Sequence, residues 1–124
     1  MELKGWKFDI SFDKPSNCGA DCDLSKCGDK TWYGYKQPGT GGVWATFSGT
    51  GRAKLDFGNC HPQSGKAKAY LVHADVPTLL GTAEKNTPAK QIMFDFSPGD
   101  ILLIQEVDEG VIKLNSLTIN CKGE

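Results

Sequence analysis

Four aromatic residues, Trp32, Tyr33, Tyr35 and Trp44, flank one glycine-rich turn, Gly39-Thr40-Gly41-Gly42. Pairing of the segments on either side of that turn would bring the four together. Indole and phenol rings present broad apolar faces that stack on the polarised C–H faces of sugars, while neighbouring polar groups take the hydroxyls. Aromatics on a strand more commonly fill a core. Alternation argues against that for all four, because Trp32 and Gly34 share one side of an extended segment while Tyr33 and Tyr35 share the other. Some of these rings are therefore expected to meet a partner.

A second constellation is acidic and rich in cysteine. Asp21, Asp23 and Asp29 lie among Cys18, Cys22 and Cys27, with Asp13 just upstream. Calcium takes six to eight oxygens from carboxylates and carbonyls, which an irregular Asp-rich loop supplies. The spacing does not follow the EF-hand pattern, and solvated loop acids are the simpler reading. The three thiols, spaced C-x3-C-x4-C, could also ligate zinc with Cys60 or His61. Structural zinc sites, however, are built from paired C-x2-C units, which are missing here. Disulfides are favoured: five cysteines (Cys18, Cys22, Cys27, Cys60 and Cys121) in 124 residues point to an oxidising compartment, with one thiol left over.

The two histidines offer little for catalysis. His61 stands beside Cys60 at the end of an apolar alternating run, and His73 stands two residues before Asp75. Glu106, Asp108 and Glu109 cluster, but they leave a strand and enter a turn, where solvent is the usual partner. G-x-S-x-G, H-E-x-x-H and P-loop patterns are missing, so no enzyme class is indicated.

These residues sit on a short, nearly neutral chain. Its 14 Lys and Arg against 15 Asp and Glu leave a net charge of −1, without the basic excess that a grip on nucleic acid or an anionic membrane requires. No apolar run reaches the roughly 20 residues that span a bilayer, so no membrane insertion is expected. The opening Met1-Glu2-Leu3-Lys4-Gly5-Trp6 lacks a signal-like apolar stretch, which suits either an intracellular chain or a mature domain with an added Met. The cysteines favour the second, and a secreted, extracellular protein is expected. Residues 1–124 read as one domain with a single modest core.

Period-2 alternation dominates. Trp6 to Phe12, Thr31 to Lys36, Val43 to Ser48, Ala53 to Phe57 and Lys66 to Ala74 read as strands, the last with Tyr70 and Val72 inward. Val76 to Thr82 reads as an edge strand, because Pro77 cannot donate to a ladder. Ile92, Phe94 and Phe96 alternate, Ile101-Leu102-Leu103-Ile104 is apolar on both faces as a central strand would be, and Val111 to Ile119 closes the series. Pro15 to Lys30 reads as a stapled loop. No long helix fits. The pattern predicts an all-β fold, an antiparallel two-sheet sandwich of about eight or nine strands with a disulfide-rich loop, its first and last strands paired or adjacent.

In order along the chain, Leu55-Asp56-Phe57-Gly58-Asn59-Cys60, Lys68-Ala69-Tyr70-Leu71-Val72, Phe94-Asp95-Phe96-Ser97-Pro98-Gly99-Asp100 and Ile112 to Ile119 resemble the later strands of galactose-binding-like jelly-roll domains. Carbohydrate-binding modules and lectins are among those domains, and the resemblance covers roughly Gly42 to Cys121. It implies a jelly roll that binds sugar through loops at one end, with a structural calcium near the start of the fold. Trp32 to Trp44 and the loop at Asn59-Cys60-His61 become candidate contacts, with Glu106 a further hydrogen-bonder and Asp21, Asp23 and Asp29 candidate calcium ligands. The expected function is carbohydrate binding without catalysis. The alternatives are an extracellular protein-interaction or structural-matrix module, and a small hydrolase.

Overall fold

Alternating apolar and polar residues can bury one side of a strand while wetting the other, and this chain spends that pattern on two facing sheets. The computed structural model describes residues 10–12, 28–35, 42–59, 65–108 and 112–121, with side chains described for 42–59, 65–87, 89–108 and 114–121. The strands among them are β1 (Ile10–Phe12), β2 (Gly28–Tyr35), β3 (Gly42–Phe47), β4 (Gly51–Asn59), β5 (Lys66–His73), β6 (Val76–Ala83), β7 (Thr87–Phe96), β8 (Ile101–Val107) and β9 (Ile112–Cys121). One sheet has the order β1-β2-β3-β8-β5-β6 and the other β7-β4-β9. Every ladder is antiparallel. The expected all-β, antiparallel two-sheet sandwich is the fold observed.

The core lies between the sheets. On β4, Ala53, Leu55 and Phe57 point inward while Arg52 and Lys54 are exposed. They meet Phe94 and Phe96 of β7, Leu114, Leu117 and Ile119 of β9, and Ala45, Phe47, Leu102 and Ile104 of the larger sheet. Phe47 bridges the two layers: its ring stacks on Phe96 at 4.0 Å between centroids and 15° between planes, and meets Phe94 edge-on at 6.1 Å. Each fully buried Phe or Leu contributes roughly 1.5–3 kcal/mol, so this cluster supplies the main driving force for closing the sandwich.

β8 is central in its sheet, as its doubly apolar run predicts. Leu102 and Ile104 enter the core, whereas Ile101 and Leu103 form a second cluster with Trp44 and Val72 on the opposite face. β6 is an edge strand, so the missing N–H of Pro77 costs no ladder bond.

Several sequence expectations are corrected. Tyr70 and Val72 do not face the inter-sheet core; Ala67, Ala69 and Leu71 do. The run Ala69-Tyr70-Leu71-Val72 is apolar in both parities, so alternation alone could not choose. β1 and β9 do not pair: β1 pairs with β2 and β9 with β4, in different sheets. β4 continues through Gly58 and Asn59 rather than stopping at them, and β2 begins at Gly28, inside the segment expected to be loop.

Candidate functional site

The outward face of the six-stranded sheet, turned away from the three-stranded one, carries most of the residues with recognition chemistry. Its register sets them in rows. Tyr33, Trp44, Leu103, Tyr70 and Leu79 are successive cross-strand partners from β2 to β6. Tyr35, Gly42, Gln105, Lys68 and Thr82 form the next row. On the other side run Thr46, Ile101, Val72 and Pro77. Directly opposed residues on an antiparallel pair share a face, with Cβ atoms about 5 Å apart, so each row is a contiguous strip.

The strip is graded in exposure. Trp44 is only 9% exposed, and Leu103, Ile101 and Val72 are buried with it. Tyr70 packs against this cluster but is half-buried, as are Lys68, Gln105 and Thr46. At the β6 edge Leu79 is 51% exposed. Trp44 and Leu103 therefore form an apolar floor, and Tyr70 is the accessible ring among the described side chains of the strip.

The four aromatics singled out from sequence are thus divided. Tyr33 pairs with Trp44 and Tyr35 with Gly42, positions on the outward face. Trp32 pairs with Ala45, a position on the core face. Glu106 pairs with Ala67, also at core-face parity, and is half-buried. Asn59 is fully buried at the end of β4, in the other sheet, between Thr87 and Ile112. Glu106 and Asn59 are accordingly not brought together with Trp44. His61, Asp21, Asp23, Cys18, Cys22, Cys27 and Cys60 lie outside the described residues, and Asp29 is the second residue of β2. Among the described residues no group of three or more His, Cys, Asp or Glu is placed to hold a metal ion.

Lys68 and Gln105 share this face and were not among the sequence candidates, and Tyr70, expected inward, lies on it as well. The signal for Lys68 was present: a long polar residue between Ala67 and Ala69, both small, marks the wet side of β5. His73, which offers little for catalysis from sequence, is exposed at the end of β5. Its Nδ1 lies 2.5 Å from Oδ1 of Asp100, a nearly buried carboxylate. The other carboxylate oxygen of Asp100 accepts the Ser97 N–H at 2.9 Å. Its backbone closes the same turn, Asp100 N–H donating to Ser97 O and Phe47 N–H donating to Asp100 O. The pair braces the turn.

No protein-family model matches the chain, and no curated protein matches it. Among solved structures it is similar to family 29 carbohydrate-binding modules. One is a lysine-to-alanine variant complexed with cellulohexaose, at 17% identity and TM-score 0.47, covering 70% of this chain and 66% of that one. Another is an aspartate-to-alanine variant at 18% identity and TM-score 0.46, with coverage of 70% and 66%. A third is a family 29 module at 20% identity and TM-score 0.45, with coverage of 70% and 64%. The chain spans about two thirds of the length of these modules.

Proposed function

We propose that this domain binds carbohydrate without catalysing its cleavage, using the outward face of the six-stranded sheet. The observation that carries the proposal is the register row from Tyr33 through Trp44 and Leu103 to Tyr70. A sugar ring stacked on Tyr70 would lie over an apolar floor, which excludes water from the stacked C–H bonds. Lys68, Gln105 and Thr46 are half-buried around that floor and supply the donors and acceptors that a hydroxyl pattern needs. Tyr33 and Tyr35 extend the contact set toward β2.

A glycan array tests the proposal. The wild type is expected to bind at least one glycan class, and Tyr70→Ala to weaken that binding about tenfold or more, since loss of a stacked ring and its apolar contact costs on the order of 1.4 kcal/mol. Absence of binding to every glycan overturns it.

A secreted, disulfide-stapled setting belongs to the same proposal. It is supported by the five cysteines and by Cys121, which is disulfide-bonded at the end of β9. Five free thiols titrated in native protein without reductant would remove this part.

A second reading has its own observation. Val76 and Leu79 are 62% and 51% exposed on edge strand β6, which suits an extracellular protein partner. A protein interaction lost in Leu79→Lys and unaffected by any sugar would replace the carbohydrate reading.

A further inference from the structure

We infer that the outward face is selective for an anionic glycan, whose carboxylate or sulfate is held by Lys68 while an adjacent pyranose ring stacks on Tyr70; this rests on the carbohydrate reading above. Strand β5 sets Lys66, Lys68 and Tyr70 at alternate positions, so all three share the outward face and all are half-buried. Alternate residues on a strand are about 7 Å apart, a spacing comparable with one sugar residue. Cation and ring therefore stand side by side at the scale of a single acidic sugar and its neighbour.

Among the described side chains of these strands, the charge at outward positions is one-sided. The outward positions of β3, β8, β5 and β6 are Gly42, Trp44 and Thr46; Ile101, Leu103, Gln105 and Val107; Lys66, Lys68, Tyr70 and Val72; and Pro77, Leu79 and Thr82. Two lysines and no carboxylate stand among them. Lys68 is flanked by the neutral Gln105 and Thr82, and Glu106 falls on the opposite parity. Asp75 and Asp108 sit in exposed turns at the two ends of the sheet, and Glu84, exposed just past the end of β6, is the carboxylate nearest in register to Lys66. Among the described residues neither lysine is ion-paired.

The stem of Lys68 is half-buried beside Tyr70 and Gln105, so its ammonium is held near the apolar floor, where an incoming anion is attracted more strongly than at an open surface. The attraction is local. The chain as a whole carries −1, so its net charge gives no general affinity for polyanions.

The test compares three oligosaccharides of equal length by calorimetry: an oligogalacturonate, a sulfated galactan fragment and a neutral cello-oligosaccharide, at low and high salt. The anionic ligands are expected to bind about tenfold tighter than the neutral one at low salt, with the margin shrinking as salt screens the contact. Preference for one anion over the other identifies the group that Lys68 holds. Lys68→Ala should bring anionic and neutral affinities within about twofold of each other, and Lys68→Arg should retain the preference. Lys54→Ala, on the exposed face of the other sheet, should change nothing. Thermal melting confirms that each variant folds. Equal affinity for all three ligands, or equal effects of Lys68→Ala and Lys54→Ala, overturns the inference. If Tyr70→Ala still abolishes binding of the neutral sugar in that case, the carbohydrate reading stands without it. Binding to none of the three overturns both.

Discussion

His73 Nδ1 lies 2.5 Å from Asp100 Oδ1, joining the end of β5 to the turn between β7 and β8. The two partners contribute unequally. The His73 side chain is 69% exposed, whereas that of Asp100 is 5% exposed and also accepts the Ser97 N–H. A contact through a largely exposed side chain contributes at most about 1 kcal/mol, but a buried carboxylate that closes a turn leaves an unsatisfied donor when removed, at about 1–3 kcal/mol. His73→Ala is therefore expected to lower unfolding stability by under about 1 kcal/mol, and Asp100→Ala by about 2 kcal/mol. Urea unfolding of both variants checks the ranking. Equal losses would show that the histidine contact carries the turn.

Gly51 and Gly99 separate close approach from backbone strain. A Cβ at Gly51 would lie 2.2 Å from the Asn120 carbonyl oxygen and 2.8 Å from Phe96 Cζ. Neither backbone nor core ring can yield cheaply, so Gly51→Ala should cost about 3 kcal/mol or more and loosen the β4–β9 ladder. Gly99 has φ +88° with nothing within 4 Å of the added carbon. Gly99→Ala should cost only the left-handed backbone penalty, about 1 kcal/mol. Thermal melting of the two variants distinguishes the mechanisms, and a milder effect at Gly51 would mean that β9 moves away freely.

Much of the fold was legible in the residues, and the reason is periodicity. Ala53, Leu55 and Phe57 alternate with Arg52 and Lys54, so only one face of β4 could be buried; the doubly apolar Ile101 to Ile104 could only be central. The site was legible only in part. Pairing across the glycine-rich turn brought Trp32, Tyr33, Tyr35 and Trp44 into one group, and the register sets Tyr33 opposite Trp44 and Trp32 opposite Ala45. Tyr70 was misassigned because two consecutive apolar pairs leave parity undetermined. Long-range pairing had no local signal at all. Nothing in β1 or β9 says that they belong to different sheets, since that depends on which strand each meets after the chain has turned back several times. The brace between His73 and Asp100 spans 27 residues and is invisible for the same reason.

The loop joining β5 to β6 is strained in a way that substitution should relieve. Ala74 and Asp75 both have positive φ, 49° and 66°, in a two-residue hairpin link. That conformation matches the right-handed twist of the strands but favours Asn-Gly, because a Cβ crowds the following carbonyl. Replacing Ala74→Asn together with Asp75→Gly is expected to raise stability by about 1 kcal/mol. Chemical denaturation measures it, and the midpoint should rise with unchanged slope. A fall would show that Asp75 has a stabilising role that the turn conformation alone does not account for.

The last prediction divides the aromatic strip into a structural part and a contacting part. Trp44 is nearly buried against Val72, Ile101 and Leu103, whereas Tyr70 only rests on that cluster. Truncating a buried indole leaves a large cavity, so Trp44→Ala should cost about 3–5 kcal/mol, and any loss of ligand binding should follow the loss of folded protein. Tyr70→Ala removes a half-buried ring and should cost about 1–2 kcal/mol while weakening binding in protein that is still fully folded. The measurement is paired: calorimetric unfolding and glycan affinity on the same samples, at a temperature where both variants are native. If Trp44→Ala keeps its stability and loses affinity while Tyr70→Ala keeps both, the contacting ring is Trp44, and the floor of the strip has been assigned to the wrong residue.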